Sequence, residues 1–406
     1  MTLRLIFDIM ADGAGIALVM LTLPLVLELL LLTLAAWLPG KTESAWRPAI
    51  QARPRTMVIV PAHNESLLIG RCVRSLLQDR VTHTDVLVVA HNCTDQTATL
   101  AEAAGAQVLT VNDDGRGGKG SALRAGLAEA VARGSQALVV VDADSTVSPG
   151  FMAVAQDALS RHQAFQARYV LTTGRAQTRA SLGSLGFLGF NVLRPRGRER
   201  LGLSAGIFGN GFGFRSEVLA RVPYSTTSLV EDLEYHLRLV RAGVRVHFIE
   251  QATVTSEAAP SHGNASSHQQ ARWEGGRILA IRMWTRRLAD DLLRGRWRSA
   301  EPLLDLLGLP LAMALVLLMI TLAVPEHWAR LYACTALMVL AAHVVSAAAE
   351  GLGWKEAVKT VIAVPAYMAW KLSLVPRTLL ASRPNAVWTP TPRDQSLAYD
   401  AHGDGA

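Results

Sequence analysis

The sequence predicts an α/β protein built on a mostly parallel sheet and flanked by membrane-spanning helices. Three observations carry this. Residues 56 to about 255 alternate short β-rich runs with helical patterns, the rhythm of strands joined by crossover helices. Polar clusters fall at the carboxyl ends of three of those runs, where such sheets hold ligands. Half of the 406 residues are hydrophobic and only 18% are charged, a balance too apolar for an ordinary soluble protein.

The net charge of +7 fits a basic cytoplasmic surface beside anionic lipid. Nucleic acid is not expected as a partner, because no aromatic-plus-basic RNA motif, zinc-finger spacing or helix-turn-helix pattern appears. Three scattered cysteines, Cys72, Cys93 and Cys334, predict neither a metal site nor a disulfide framework.

In chain order, residues 14–38 form an apolar run interrupted only by Glu28. It is long enough to cross about 30 Å of hydrocarbon, and it lacks a clean cleavage site, so residues 1–40 are read as a permanent transmembrane part. Lys41, Arg47, Arg53 and Arg55 follow the run, against Arg4 with Asp8 and Asp12 before it, which places residues 41–300 in the cytoplasm. Strands are expected at 57–60, 86–90, 107–111 and 137–141, and helices at 66–79, 94–104 and 119–133. Residues 306–324 and 331–349 lack Asp, Glu, Lys and Arg, and each can span a bilayer. The stretch 357–375 is interrupted by Lys359, Pro365 and Lys371, and reads as an interfacial amphipathic helix or a third span. It closes a C-terminal membrane region, 301–380, before a cytoplasmic tail, 381–406.

Several clusters can carry chemistry. The apolar run 138–141 leads into Asp142-Ala143-Asp144. In extended chain these two carboxylates point the same way. They can hold a divalent cation whose shell a diphosphate completes; the plain alternative is an acidic turn. In Pro61-Ala62-His63-Asn64-Glu65 a proline ends the first strand. Asn64 either caps the next helix or joins Glu65 in hydrogen-bonding a uracil or ribose. The glycine-rich turn 115–121 opens a helix with Lys119 and suits phosphate, although it lacks P-loop spacing. Glu231 and Asp232 open an amphipathic helix; they either complement its dipole or supply a general base. Just upstream, the glycine- and aromatic-rich stretch Gly209-Asn210-Gly211-Phe212-Gly213-Phe214 is a plain loop or a place where a sugar approaches the backbone. In Gln269-Gln270-Ala271-Arg272-Trp273 the arginine suits a diphosphate and the tryptophan a sugar face. The alternative there is an interface helix continuing to Arg282, Trp284, Arg286 and Arg287. The arginine-rich run 194–200 reads as a solvated loop or as a contact with lipid headgroups or an anionic lipid-linked acceptor. His262 and His268 read as loop residues, and the glycosylation pattern at Asn264 is discounted on the cytoplasmic side.

Taken in order, these stretches resemble the membrane-bound family 2 glycosyltransferases, the group that includes cellulose, hyaluronan and poly-N-acetylglucosamine synthases. The resemblance covers roughly residues 55–300, and the tail 387–393 resembles a Trp/Thr/Arg motif of related synthases. It implies a GT-A fold and inverting hexosyl transfer from a nucleotide sugar, commonly a UDP-sugar, with Mg2+ or Mn2+. By position, Asp142 and Asp144 match the Asp-x-Asp that contacts donor diphosphate and metal. Pro61, Asn64, Glu65 and Asp95 fall beside the nucleoside, and Lys119 contacts the donor. Asp232 is the general base; Glu231, Gln269, Arg272 and Trp273 lie beside the diphosphate and acceptor. The second strand departs from the pattern, since Ala90 and His91 stand where an acidic residue often binds the nucleoside. The implied acceptor is a growing polysaccharide or lipid-linked saccharide in a bacterial inner membrane. A single addition to a lipid such as ceramide or polyprenyl phosphate is the alternative. A catalytically silent protein that binds a nucleotide sugar or a partner synthase is a third reading, against which the intact acidic pairs stand. A translocating channel would need more helices or a partner subunit.

Overall fold

In a computed structural model the described residues are 2–40, 53–78, 81–113, 118–172, 178–225, 230–257, 265–351 and, apart from 369 and 372, 368–381. The tail motif 387–393, His262, Asn264 and most of 357–375 lie outside them. The helices in chain order are α1 Thr2–Trp37, α2 Ile69–Leu77, α3 Thr97–Ala103, α4 Gly118–Ala132, α5 Phe151–Arg161, α6 Thr178–Leu188 and α7 Arg194–Arg200. They continue as α8 Ser216–Arg221, α9 Glu231–Arg241, α10 Ala265–Leu293, α11 Ala300–Leu307, α12 Leu311–Ala323, α13 His327–Ala349 and α14 Val375–Ala381. The strands are β1 Thr56–Ala62, β2 Thr84–His91, β3 Gln107–Val111, β4 Ala137–Val140, β5 Ser145–Val147, β6 Ala164–Thr172, β7 Phe212–Arg215 and β8 Val246–Glu257.

Two compact units emerge. An α/β unit takes the described parts of Pro39–Ala180 and Gly202–Gln269; a helical unit takes those of Met1–Leu38, Ser181–Leu201 and Gln270–Pro384. Residues 181–201 and 270–300 thus group with the helices.

The α/β unit is one eight-stranded mixed sheet of order β3-β2-β1-β4-β7-β6-β8-β5. β1 pairs in parallel with both β2 and β4, β2 with β3, and β6 with β8; β7 pairs antiparallel with β4 and β6, and β5 with β8. The first strands are unbroken apolar runs because both faces are covered. Alternate residues divide between the faces. Val58, Val60, Val88 and Val139 pack with Ile69, Val73 and Phe151. Met57, Ile59, Leu87 and Leu138 pack with Leu123, Leu127, Tyr235 and Leu239. Because β2 and β4 flank β1 on opposite sides, the sheet has its switch point there. The carboxyl ends of these strands form the crevice where such sheets bind ligands. Pro61 lies within β1, which runs on to Ala62. Helices α2 and α3 start later than their patterns predict, at Ile69 and Thr97, because the residues before them are held in a side-chain web described below.

Among the described residues of the helical unit two helices are long and apolar enough to cross a membrane, Met10–Trp37 and His327–Ala349. The continuous span expected at 306–324 is instead broken. Trp297–Leu307 and Leu311–Ala323 meet at 75°, where Pro310, lacking an N–H, stands at the N-cap of α12. Residues 194–200 also correct the sequence reading. They form α7, with Arg194 and Arg198 buried to 5% and 2% exposure. The cause is Glu28, the single charge in the apolar run of α1. Its Oε1 accepts from Arg198 Nη2 at 3.0 Å and from Arg194 Nη1 at 3.4 Å. Arg198 also pairs with Glu301, and Arg277 with Asp305. Three arginines thus meet three carboxylates, as buried charges require. Gly197 permits this, since a Cβ there would run into the Leu32 carbonyl.

Candidate functional site

β4 ends at Val140, and Asp142 and Asp144 lie in the turn leading to β5, closed by Ser145 N–H donating to the Asp142 carbonyl at 3.0 Å. The alternation of an extended strand therefore does not orient the pair; the turn does. Asn210 anchors that turn. It is fully buried. Its Oδ1 accepts from Asp142 N–H at 3.0 Å, and its Nδ2 donates to Ser145 Oγ at 2.8 Å and Ser256 Oγ at 3.2 Å. Ser145 Oγ in turn lies 3.0 Å from Asp144 Oδ1 as its donor. Tyr169 bonds to Ser256 and Asn210, and burial together with the charges of Asp144 and Asp142 pushes its phenol up to about 12. Cys72 lies under the turn, and burial with the same two acids raises its thiol far above the usual range. Within the segment 209–211, Asn210 thus braces the acid turn. Tyr169 escaped the sequence reading, and Asn210 was legible only as part of a glycine-rich stretch, without its bracing role.

Lys119, in the first turn of α4, completes the constellation. Its Nζ lies 2.5 Å from Asp142 Oδ1 and donates to the Gly209 carbonyl at 2.7 Å. Asp232 approaches from the first turn of α9. A Cβ on Gly209 would stand 3.2 Å from Asp232 Oδ2 and 3.8 Å from Lys119 Nζ. That gap, with a backbone φ of 77°, restricts the position to glycine. Burial alone would lower the Lys119 ammonium, but Asp142 and Glu231 outweigh it and hold it above its ordinary range. For Glu231, burial and then the adjacent Asp232 push the carboxyl up to about 7, with Lys119 acting in the opposite sense. The α/β unit therefore brings Lys119, Asp142, Glu231 and Asp232 into one electrostatic neighbourhood, with Asp144 in the same turn as Asp142.

A second cluster forms at the ends of β1, β2 and β3. Asn64 does not cap α2, whose N-cap is Leu68 with no side-chain bond. It adopts a left-handed φ of 55° and its Oδ1 accepts from Thr94 N–H at 2.8 Å. Glu65 N–H donates to Thr97 Oγ1 at 2.8 Å. Asp95 accepts from Thr97 N–H at 3.0 Å, Thr97 Oγ1 at 2.5 Å and Ser66 N–H at 3.1 Å. Burial would raise its carboxyl, but these bonds outweigh it and the net shift is downward. His91, buried, places Nε2 2.9 Å from Asp113 Oδ2. Asn92 Nδ2 donates to the other Asp113 oxygen at 2.9 Å, and Ser121 Oγ donates to Oδ2 at 2.7 Å. Where β2 lacks a terminal acid, a carboxylate thus arrives from the end of β3. Asp113 also escaped the sequence reading.

Trp273 belongs to the helical unit and is 41% exposed. The side chains of Gln269 and Arg272, and residues 114–117 of the glycine-rich turn, lie outside the described residues. Among the described residues no group of three or more His, Cys, Asp or Glu side chains forms a metal site. Asp142 and Asp144 nevertheless offer two hard carboxylates, a set that suits Mg2+ or Mn2+ once phosphate oxygens and water fill the shell.

The family model described as glycosyltransferase like family 2 matches residues 54–276, and the chain belongs to that family. The probable glycosyltransferase YdaM of Bacillus subtilis is 26% identical over 253 residues, 58% of this chain and 58% of that protein. A 4,4'-diaponeurosporenoate glycosyltransferase of Staphylococcus aureus is 38% identical over 92 residues, 22% of this chain and 24% of that protein. The chain therefore spans less than two thirds of either relative's length. The mannosyltransferase PcManGT from Pyrobaculum calidifontis, solved in complex with GDP-Man and Mn2+, has a TM-score of 0.52 at 20% identity, covering 92% of this chain and 97% of that one. The shared architecture is the GT-A fold.

Proposed function

We propose that the chain is an inverting, integral-membrane hexosyltransferase that moves a sugar from a nucleotide-sugar donor, a UDP-sugar in the leading reading, to an acceptor hydroxyl. The observation that carries this is the meeting of Lys119, Asp142 and Asp232 around Gly209. A leaving diphosphate needs cations, and an attacking hydroxyl needs a base within hydrogen-bond reach. Asp232 takes the acceptor proton as that oxygen bonds to the anomeric carbon. The bond to the diphosphate breaks on the opposite face, so a single displacement inverts the centre. Lys119 receives the charge that develops on the diphosphate. Asp142 and Asp144 hold a Mg2+ or Mn2+ ion that neutralises the same charge when bound. Pro61, Asn64, Glu65 and Asp95 frame the nucleoside. Glu231, Gln269, Arg272 and Trp273 serve the diphosphate and acceptor.

The acceptor is a growing polysaccharide or a lipid-linked saccharide, met at a bacterial inner membrane with the catalytic domain on the cytoplasmic side. Single addition to one acceptor is a specific second reading. The S. aureus relative is named for glycosylating a discrete molecule, and the described residues hold two candidate spans, or three if the bent pair is one. A polymer channel would draw on an export or synthase partner.

The test is full-length enzyme in lipid, given a panel of nucleotide sugars with Mn2+, followed by product sizing. A polymer supports synthesis and a single addition the second reading; no transfer from any donor overturns both. Asp232→Asn should reduce transfer by about 10³-fold or more while nucleotide binding survives, and an active Asn variant removes Asp232 from the base role.

A further inference from the structure

Leu293 and Trp297 are the two most exposed large hydrophobic side chains among the described residues, at 87% and 76%. Leu293 ends α10 and Trp297 lies just beyond it, at an elbow where Gly295 turns the chain with a φ of 77° and a short helical turn, Trp297–Ser299, leads into α11. Arg294, Arg296 and Arg298 alternate with them, and all three are exposed. One to two turns back, Arg286 and Arg287 are exposed as well, with the Arg287 guanidinium 5.1 Å from the Trp284 ring. Asp290 and Asp291 lie in the last turn of α10. Asp291 is fully buried and takes Arg296 at 3.0 Å, while the Arg296 side chain remains 57% exposed. Residues 282–298 hold six arginines and two aspartates, a surplus of four positive charges.

The helices after the elbow fix its surroundings. α12 carries no charged residue, and the segment Trp297–Leu307 meets it at 75°. If α12 enters hydrocarbon, Trp297–Leu307 runs at a steep angle to it, and the elbow stands where water meets lipid. An indole and a leucine interleaved with arginines is the chemistry of that boundary. The rings and aliphatic stems sit at headgroup depth, and the guanidiniums pair with phosphate. Arginine surplus favours anionic over zwitterionic lipid.

We infer that residues 286–298 form a lipid-reading elbow that seats on anionic phospholipid headgroups. This rests on the membrane placement proposed above and adds a lipid class and the residues that select it.

The full chain is reconstituted into nanodiscs of phosphatidylcholine containing brominated phosphatidylglycerol or brominated phosphatidylcholine, and tryptophan quenching is recorded. The chain has nine tryptophans, so the Trp297 signal is the difference between wild type and Trp297→Phe. The expected result is a Trp297 signal quenched about fivefold more effectively by the anionic lipid, as arginines near an anionic surface predict. In Arg294→Gln/Arg298→Gln, which leaves Arg296 on the buried Asp291, that preference should fall towards unity. These are exposed positions, so each variant should elute from size exclusion as wild type does. Equal quenching by both lipids overturns the anionic selection, and an unquenched Trp297 overturns the elbow itself. In both cases a protein that still enters the discs leaves the membrane placement standing. A wild-type chain that fails to enter any disc sinks the placement and this inference together.

Discussion

Asn210→Ala tests how the acid turn is held. The substitution removes the oxygen that accepts the part-buried Asp142 N–H at 3.0 Å, and the amide that donates to Ser145 and Ser256. The two serine hydroxyls still have each other at 2.6 Å, so the principal loss falls on the Asp142 backbone. An unsatisfied buried donor costs about 1–3 kcal/mol. In a chain of this size that lowers the melting temperature by roughly 2–4 °C per kcal/mol. The functional effect should be separable from the loss of stability. With its backbone released, the Asp142 carboxylate loses its fixed position, and a weakening of about 1.4 kcal/mol in ion binding is a tenfold change. Titrating Mn2+ against binding of UDP or GDP should show a midpoint raised about that much, beside a melting curve that reads the stability loss. Asn210→Asp keeps the oxygen that meets Asp142 N–H and should keep more of the Mn2+ response than the alanine variant. An alanine variant that melts earlier but titrates Mn2+ as wild type does would refute the reasoning, because Asn210 would then only fill space.

Other perturbations read other parts of the molecule. Glu28→Gln leaves Arg194 and Arg198 facing a deficit of negative charge. It should cost about 3–5 kcal/mol, seen as earlier heat inactivation in detergent, and adding Arg198→Gln should restore part of the loss. Unchanged inactivation in the single variant would show that the cluster is not ionic. Burial, with Asp232 beside it, pushes Glu231 up to about 7 from an ordinary 4.5. The folded state then holds the proton more tightly than the unfolded chain. This group's contribution to stability therefore declines as pH rises from 4.5 through 7. Glu231→Gln should flatten the melting temperature across that window, and parallel profiles for wild type and variant would show that Glu231 is ionised throughout. EDTA should abolish transfer and Mn2+ restore it, whereas activity that survives chelation would remove the ion from the reaction.

The parallel half of the sheet was legible because its strands are buried on both faces, which leaves unbroken apolar runs at 57–60, 86–90 and 137–141. The antiparallel half was not. β7 is four residues, Phe212–Arg215, set after two glycines, and nothing in so short a run distinguishes a central strand from a loop. Hydropathy found the apolar segment at 306–324 but carries no direction, so the 75° break before α12 stayed hidden. The arginines of α7 read as solvated because composition treats each charge alone. Their partner is Glu28, 166 residues away from Arg194. A lone acid in an otherwise apolar span was the signal that it needed one.

The site divides in the same way. Lys119, Asp142 and Asp232 were legible as types at element ends, each ambiguous by itself, and their order along the chain singled them out. Their common support was not legible, because it is tertiary. β7 pairs with β4 beside the acid turn, Val140 opposite Phe212, and the segment just before it supplies Asn210 and Gly209. From β7, Phe214 packs against Tyr235 of α9 with ring centroids 5.6 Å apart, and Tyr235 is three residues beyond Asp232. One short strand therefore joins the carboxylates assigned to the donor to the carboxylate assigned to the acceptor. A shift of β7 along β4 would displace both at once. The spacing between the acid turn and Asp232 is thus set by core packing, so substitutions at Phe212 or Phe214 should alter it.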